Sequence, residues 1–396
     1  MALVSKTFSQ IITFTRASTA TFFNSAGVLT SAAVDAPRFD YNPSTLAAQG
    51  LLIEEARTNL LLQSQDFATT WAAAGTSPAV VTANTTTSLD GTVNADTVSG
   101  TGANSDRVQQ TVTVAASTTY VISFFVKNST SVQSRFHVSN PNSGTTNSET
   151  YITWSGSAIT GFINTGTTVG VAVAYPNNWW RVYFAFTTNA SDAGTATVRF
   201  YPNSTGADAT FKAVFLWGAQ LEAGAFPTSY IPTTTTALTR AADVASVNTL
   251  SPWYNASAGT IYADFAGRVS GTQPYITMLS NTGETERIYQ RYVSGQYQSI
   301  ARVAGVDIAS VYNSSEGSAV NAKIATAYDS SQLATSTNGQ AVTGLAVASL
   351  SSVPSGLNKL WLGSFTGSGS FANCYLRRVT YYPRALSAAE LASITA

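Results

Sequence analysis

A chain of 396 residues can hold two or three domains at roughly 100–200 residues each. Hydrophobic residues make up 44% and charged residues only 10%, against about 25% in an ordinary domain, so a packed core is within reach and the polar surface must come from hydroxyls and amides. The 20 basic and 20 acidic residues cancel and form no basic stripe, which argues against a nucleic-acid partner and leaves little charge repulsion against self-association.

The single cysteine, Cys374, rules out an intrachain disulfide, and with the single histidine, His137, it leaves the ordinary zinc ligand sets out of reach. No stretch approaches the roughly 20 apolar residues of a membrane-spanning helix. The first 18 residues lack the continuous apolar run of a signal peptide, so synthesis in a cytoplasm is expected.

In chain order, residues 1–57 hold short strand candidates, with a turn at Asn24-Ser25-Ala26-Gly27. Strands follow at Arg107–Val114, where the apolar alternation breaks at Gln110, and at Tyr120–Lys127, Trp180–Thr187 and Thr195–Tyr201. Their β-branched and aromatic residues suit a pleated, half-buried surface. Stretches at 99–106, 140–148 and 202–208 have loop composition. The run 228–243, with a proline and four consecutive threonines, reads as linker. Asn338-Gly339 is a type I′ hairpin signal, and Ser387-x-x-Glu390 is a capping box that should start a closing helix of about two turns.

The pattern predicts an all-β chain: two antiparallel β-sandwich (jelly-roll) domains, a small N-terminal β segment and a short C-terminal helix. The expected divisions are 1–57, 58–232, a linker 233–249, and 250–396. No close repeat relates the two larger units.

The stretch GLLIEEARTNLL places Glu54 beside Glu55, with Arg57 two residues on. Neighbouring strand residues face opposite ways, so the two carboxylates cannot flank one bond. Glu54, Glu55 and Arg57 are therefore expected at a structural junction, one glutamate pairing with Arg57 or capping backbone amides. Glu284 and Glu286 would share a strand face and are the better acid pair, although a solvated hairpin beside Arg287 accounts for them as well. His137 has no nucleophile motif to serve, and Cys374 reads as a small buried hydrophobe. No catalytic residue is expected.

The opening FTRASTATFFNSAGVLTSAAVDAPRFDYNP, followed by GLLIEEARTNLL, resembles the N-terminal region of bacteriophage tail-fibre and accessory virion proteins over about the first 65 residues. NLLLQSQDFATTW, TTYVISFFVKN, NNWWRVYFAF and FLWGAQLEAGAFPTSYIPT are similar to galactose-binding-like, carbohydrate-binding-module jelly rolls. GTIYADF, AKIATAYDSSQLATSTNGQAV and YLRRVTYYPRALSAAEL resemble a concanavalin A or laminin-G-like lectin sandwich.

These resemblances imply a non-enzymatic tail fibre, spike or capsid decoration that attaches through residues 1–57 and displays lectin-like domains for host-surface glycan adhesion. Its partners would be other virion proteins and further copies of itself, a homotrimer being favoured, with no nucleic acid and no membrane. The alternatives are a glycan depolymerase, which the laminarinase-type relatives of the lectin fold bring to mind through Glu284 and Glu286, and a purely structural cementing protein. Aromatic rings stack on sugars, so Trp154, Trp179, Trp180 and Trp253 are the candidate carbohydrate-binding residues, whereas Trp71, Trp217 and Trp361 read as core. No cofactor is expected beyond a structural Ca²⁺, for which Glu222 is a candidate ligand.

Overall fold

In the computed structural model the described residues are 6–100, 105–139, 148–165, 168–191, 194–204, 211–267, 273–313, 321–340 and 347–396. The chain is all-β, with antiparallel sheets and a short C-terminal helix. The first sandwich pairs two six-stranded sheets. One runs in the order Ala158–Asn164, Ser148–Ser155, Gln133–Ser139, Gly194–Tyr201, Arg107–Val114 and Ala72–Ala74. The other runs Val171–Ala174, Trp180–Thr187, Thr119–Asn128, Lys212–Ala223, Val93–Gly100 and Val80–Thr87.

Alternation decides what each strand buries. In Arg107–Val114 the side chains of Val108, Val112 and Val114 enter the core beside Phe124, Phe136 and Phe200. Gln110 is buried in the same row. Its amide nitrogen donates to Leu62 O at 3.0 Å and its amide oxygen accepts from Leu62 N at 2.7 Å. The break in the apolar pattern is therefore a clamp on the entering chain, its polar atoms satisfied by main chain.

The second sandwich departs from the expected boundaries. One of its seven-stranded sheets runs Thr13–Thr15, Val244–Val247, Lys359–Leu362, Tyr275–Ser280, Arg287–Val293, Gln296–Val303 and Val306–Asn313. The other runs Val347–Ser349, Gln332–Thr337, Asn321–Tyr328, Gly259–Ala266, Cys374–Tyr382, Ala48–Ile53 and Phe39–Tyr41. Among the described residues, 6–57 are thus not structurally separate from the C-terminal unit. They supply strands to both sheets of the C-terminal unit, and Phe14, Leu51 and Ile53 join its core. The expected linker is also built in: Leu238–Arg240 pairs with Arg57–Asn59, and Val244–Val247 lies between Thr13–Thr15 and Lys359–Leu362. Short, threonine-rich segments have weak patterns of their own and take their structure from strand partners.

Local signals behave as their chemistry requires. Gly27 N donates to Asn24 O at 2.9 Å, closing the expected turn. A Cβ at Gly27, where φ is +73°, would lie 2.7 Å from Pro43 O. Gln340 N donates to Thr337 O at 3.0 Å, with Asn338 and Gly339 both at positive φ, as a type I′ turn demands. Residues 341–346 beyond it lie outside the described residues, as do most of the loops expected at 99–106, 140–148 and 202–208. Ser387 caps the helix Ala388–Thr395 and exchanges hydrogen bonds with Glu390.

Because both sheets of the second sandwich include N-terminal strands, a fragment of residues 233–396 should lose its cooperative thermal transition. A fragment of residues 58–232 should keep one. Circular dichroism melts of the two fragments check this; a cooperative melt of 233–396 alone would contradict the strand assignment.

Candidate functional site

The strand Ala48–Ile53 buries Leu51, Leu52 and Ile53 and delivers Glu54 into the seam between the two sandwiches. Glu54 is buried. Its Oε1 accepts from Ser229 N at 2.8 Å and its Oε2 from Ser229 Oγ at 2.7 Å. The guanidinium of Arg38 lies 2.9 Å from Oε2, and that of Arg240 3.5 Å.

Asp243, wholly buried, is the other anion. It pairs with Arg16 at 3.1 Å and with Arg38 at shorter range, lies 3.7 Å from Arg240, and accepts from Glu54 N at 2.9 Å. Three guanidiniums thus face two carboxylates. Main-chain oxygens take up the excess positive charge: Arg16 donates to Ser18 O, Ala36 O and Ala33 O at 2.7–2.9 Å, and Arg240 to Glu55 O at 2.7 Å.

Glu55 turns the other way. Its Oε1 takes Arg57 Nε at 2.8 Å, and the Arg57 guanidinium sits 5.1 Å from the Phe226 ring centre. Gly224 leaves room for it, since a Cβ there would fall 1.5 Å from Arg57 Nη1. The two adjacent glutamates therefore hold two different pieces of the junction.

A cavity of about 250 Å³ opens beside this cluster. The N-terminal strands bring Asp40 and Glu54 to it, the first sandwich brings Tyr175 and Arg181, the chain's exit from that sandwich brings Ser229, and the second sandwich brings Tyr375. Arg181 is buried. It donates to Thr228 O at 2.8 Å and to Ser123 Oγ at 3.1 Å, and has no carboxylate partner among the described residues. Asp40 accepts from Phe23 N at 2.6 Å, Tyr41 N at 3.0 Å and the Tyr375 hydroxyl at 3.0 Å.

The two acids differ in charge behaviour. Burial pushes the Asp40 carboxyl up to about 6, outweighing the bonds from Phe23, Tyr375 and Tyr41. Burial acts on Glu54 in the same sense, but Arg240, Arg38 and the two Ser229 bonds outweigh it and hold Glu54 down to about 2. Sequence reasoning missed Asp40 and Arg181. The one available signal was an arginine inside the otherwise apolar run WWRVYF, where an unpaired cation is costly.

The structure buries two of the four tryptophans expected to bind carbohydrate. Trp154 and Trp179 point into the cores of the first unit, with Nε1 donating to Ser134 Oγ at 3.0 Å and to Thr87 O at 3.2 Å. Neither has a ring face open to a ligand. Trp180 is half-buried, tied to Ser157 O at 3.0 Å. Trp253 is half-buried, edge-on to Tyr381 at 5.2 Å, in an apolar groove with Phe8 and Leu360. Trp71 and Trp217 are core, as expected. Trp361 is half-buried at the edge of a core cluster of Tyr275, Met278, Tyr289 and Ile300, with Lys359 Nζ 3.7 Å from its ring centre.

Glu222 is buried, both oxygens engaged by Gln220 Nε2 at 2.7 Å and by the Thr228 amide and hydroxyl. No group of three or more His, Cys, Asp or Glu among the described residues could hold a metal ion. Glu284 and Glu286 lie in the turn before Arg287–Val293 rather than along a strand, and Glu286 accepts from Ala304 N at 2.8 Å and Ser355 N at 3.0 Å. His137 is a buried strand residue 3.2 Å from Arg199 Nη1. Burial pushes the Cys374 thiol up to about 12.

Fold and site together define a protein of two β-sandwiches fastened by a buried ionic junction that borders a mixed polar and aromatic cavity. No family model matches the chain, and neither does any curated protein. Among solved structures, the Ruminococcus gnavus IT-sialidase CBM40 is similar at 17% identity and TM-score 0.29, over 36% of this chain and 84% of that one. The heptameric SAP-like pentraxin of Limulus polyphemus is similar at 11% and 0.28, over 38% and 79%. Domains LG4-5 of the mouse laminin alpha1 chain are similar at 8% and 0.28, over 86% and 92%. These likenesses are weak in identity and in superposition, and this chain's own strand order defines its fold.

Replacing Asp243 by alanine leaves buried guanidiniums without their shared anion and should cost about 3–5 kcal/mol, read by urea unfolding. The acids should also shape stability against pH. The raised Asp40 carboxyl contributes stability that is complete below about pH 4 and lost as pH climbs through about 6. The depressed Glu54 contributes stability that is present above about pH 4.3 and lost as pH falls toward 2. Asp40→Asn should therefore flatten the decline between about pH 4 and 6, and Glu54→Gln the acid limb, in unfolding midpoints measured across that range.

Proposed function

We propose that this chain is a non-enzymatic structural protein of a bacteriophage particle, a tail fibre, spike or capsid decoration, that displays its sandwiches for adhesion to host-surface glycans. The observation that carries the reading is where the phage-like residues go. Arg16 of FTRAS, Arg38 and Asp40 of APRFDYNP, and Glu54 of GLLIEEAR all converge on the junction, as fastening and cavity wall. A motif set committed to holding two display domains in register fits a particle component, which must resist force and outlive its cell.

The partners in this reading are neighbouring virion proteins and further copies of the chain, with a trimer favoured, and the place of action is the released particle. The depolymerase reading has less support, because Glu286 spends both oxygens on backbone amides.

Incubation with host capsule or lipopolysaccharide should show retention of the glycan without new reducing ends. New reducing ends that vanish in Glu284→Gln would overturn the non-enzymatic reading. Light scattering of the purified chain should give the mass of a trimer; a monomer at high concentration would move the role from fibre to decoration.

A further inference from the structure

We propose that the junction cavity is a saccharide site that takes one neutral pyranose ring, a hydroxyl pair of the sugar being read between Asp40 and Arg181. The inference rests on the glycan-adhesion reading above and gives it a location and a ligand class.

Size comes first. A space of about 250 Å³ is on the scale of one six-membered sugar. Charge comes next. Glu54 is neutralised by Arg38 and Arg240, which leaves Asp40 and Arg181 as opposite charges on the cavity wall. A carboxylate acceptor and a guanidinium donor on one wall suit the hydroxyls of an uncharged ligand. A carboxylate accepts from one sugar hydroxyl while a guanidinium donates to its neighbour, and both bonds are charge-assisted. Asp40 is held for this by two backbone amides and the Tyr375 hydroxyl, and Arg181 by Thr228 O and Ser123 Oγ, so neither needs to reorganise on binding.

The wall also offers aromatic rings. Tyr175 and Tyr183, both half-buried, line the cavity and can meet the C–H face of a sugar. Val173, 44% exposed on an edge strand, lies at the rim. The site draws on both sandwiches and on the N-terminal strands, so it exists only in the assembled chain.

The test uses the full chain with galactose, glucose, rhamnose and N-acetylglucosamine, read by saturation-transfer NMR and calorimetry, beside a polymeric glycan array. At least one neutral monosaccharide should bind, and more tightly than its uronic acid. Val173→Trp, which blocks the rim from outside the core, should weaken binding about tenfold or more with the thermal midpoint unchanged, and Arg181→Lys should weaken it about tenfold. Glycan binding that survives both substitutions unchanged, or that prefers the uronic acid, overturns the cavity proposal and leaves the adhesion reading standing. A wild-type chain that binds neither monosaccharide nor array overturns both.

Discussion

The Asp243 carboxylate is the point on which three parts of the chain meet. Arg16 reaches it from just past Thr13–Thr15, Arg38 from just before Phe39–Tyr41, and Arg240 from three residues upstream. A carboxylate in a dry seam is tolerable only when cations and donors surround it closely. Satisfying that demand forces the N-terminal residues against the exit of the first sandwich. Ser229, which closes that exit, is in turn held by Glu54. Apolar packing could join two sandwiches in many registers, whereas this arrangement of charges is satisfied in one.

The same constraint shapes the cavity. Its polar wall is the outer side of the ionic cluster, so Asp40 and Glu54 sit close together yet differ in environment. Two guanidiniums serve Glu54, while Asp40 has only amides and a phenol. The contrast in their proton affinity follows from that inequality of partners, because both are buried. Arg181 stands apart from both, fixed by neutral oxygens of the first sandwich.

Features written within a few residues were legible in the sequence. The Ser387–Glu390 cap, the Asn24–Gly27 turn and the Asn338-Gly339 turn each depend on neighbours in the chain, and the all-β class follows from many such local patterns. Glu54, Glu55 and Arg57 could be placed at a junction because strand geometry separates adjacent side chains. What could not be read was which partners they would meet, since Glu54 and Asp243 are 189 residues apart in sequence yet share two hydrogen bonds. The orientation of the tryptophans failed for a related reason. Trp179 and Trp180 are adjacent, and only the facing sheet decides which one enters the core. Gln110 was visible as a break in a pattern, but its use as a clamp on Leu62 needed the fold.

The pairing of Thr13–Thr15 with Val244–Val247 also sets an order of events at the ribosome. The first sandwich lies, in sequence, between these two partners. During synthesis Thr13–Thr15 emerges with no sheet to join and must wait for more than two hundred residues, roughly 10–50 s at ~5–20 residues per second. The first sandwich can close in that interval, since its strands are complete before residue 233 is made. The nascent chain therefore carries Thr13–Thr15 and the outer edge of Ala48–Ile53 past a finished domain, until Val244–Val247 captures the first and Cys374–Tyr382, the last strand made, captures the second.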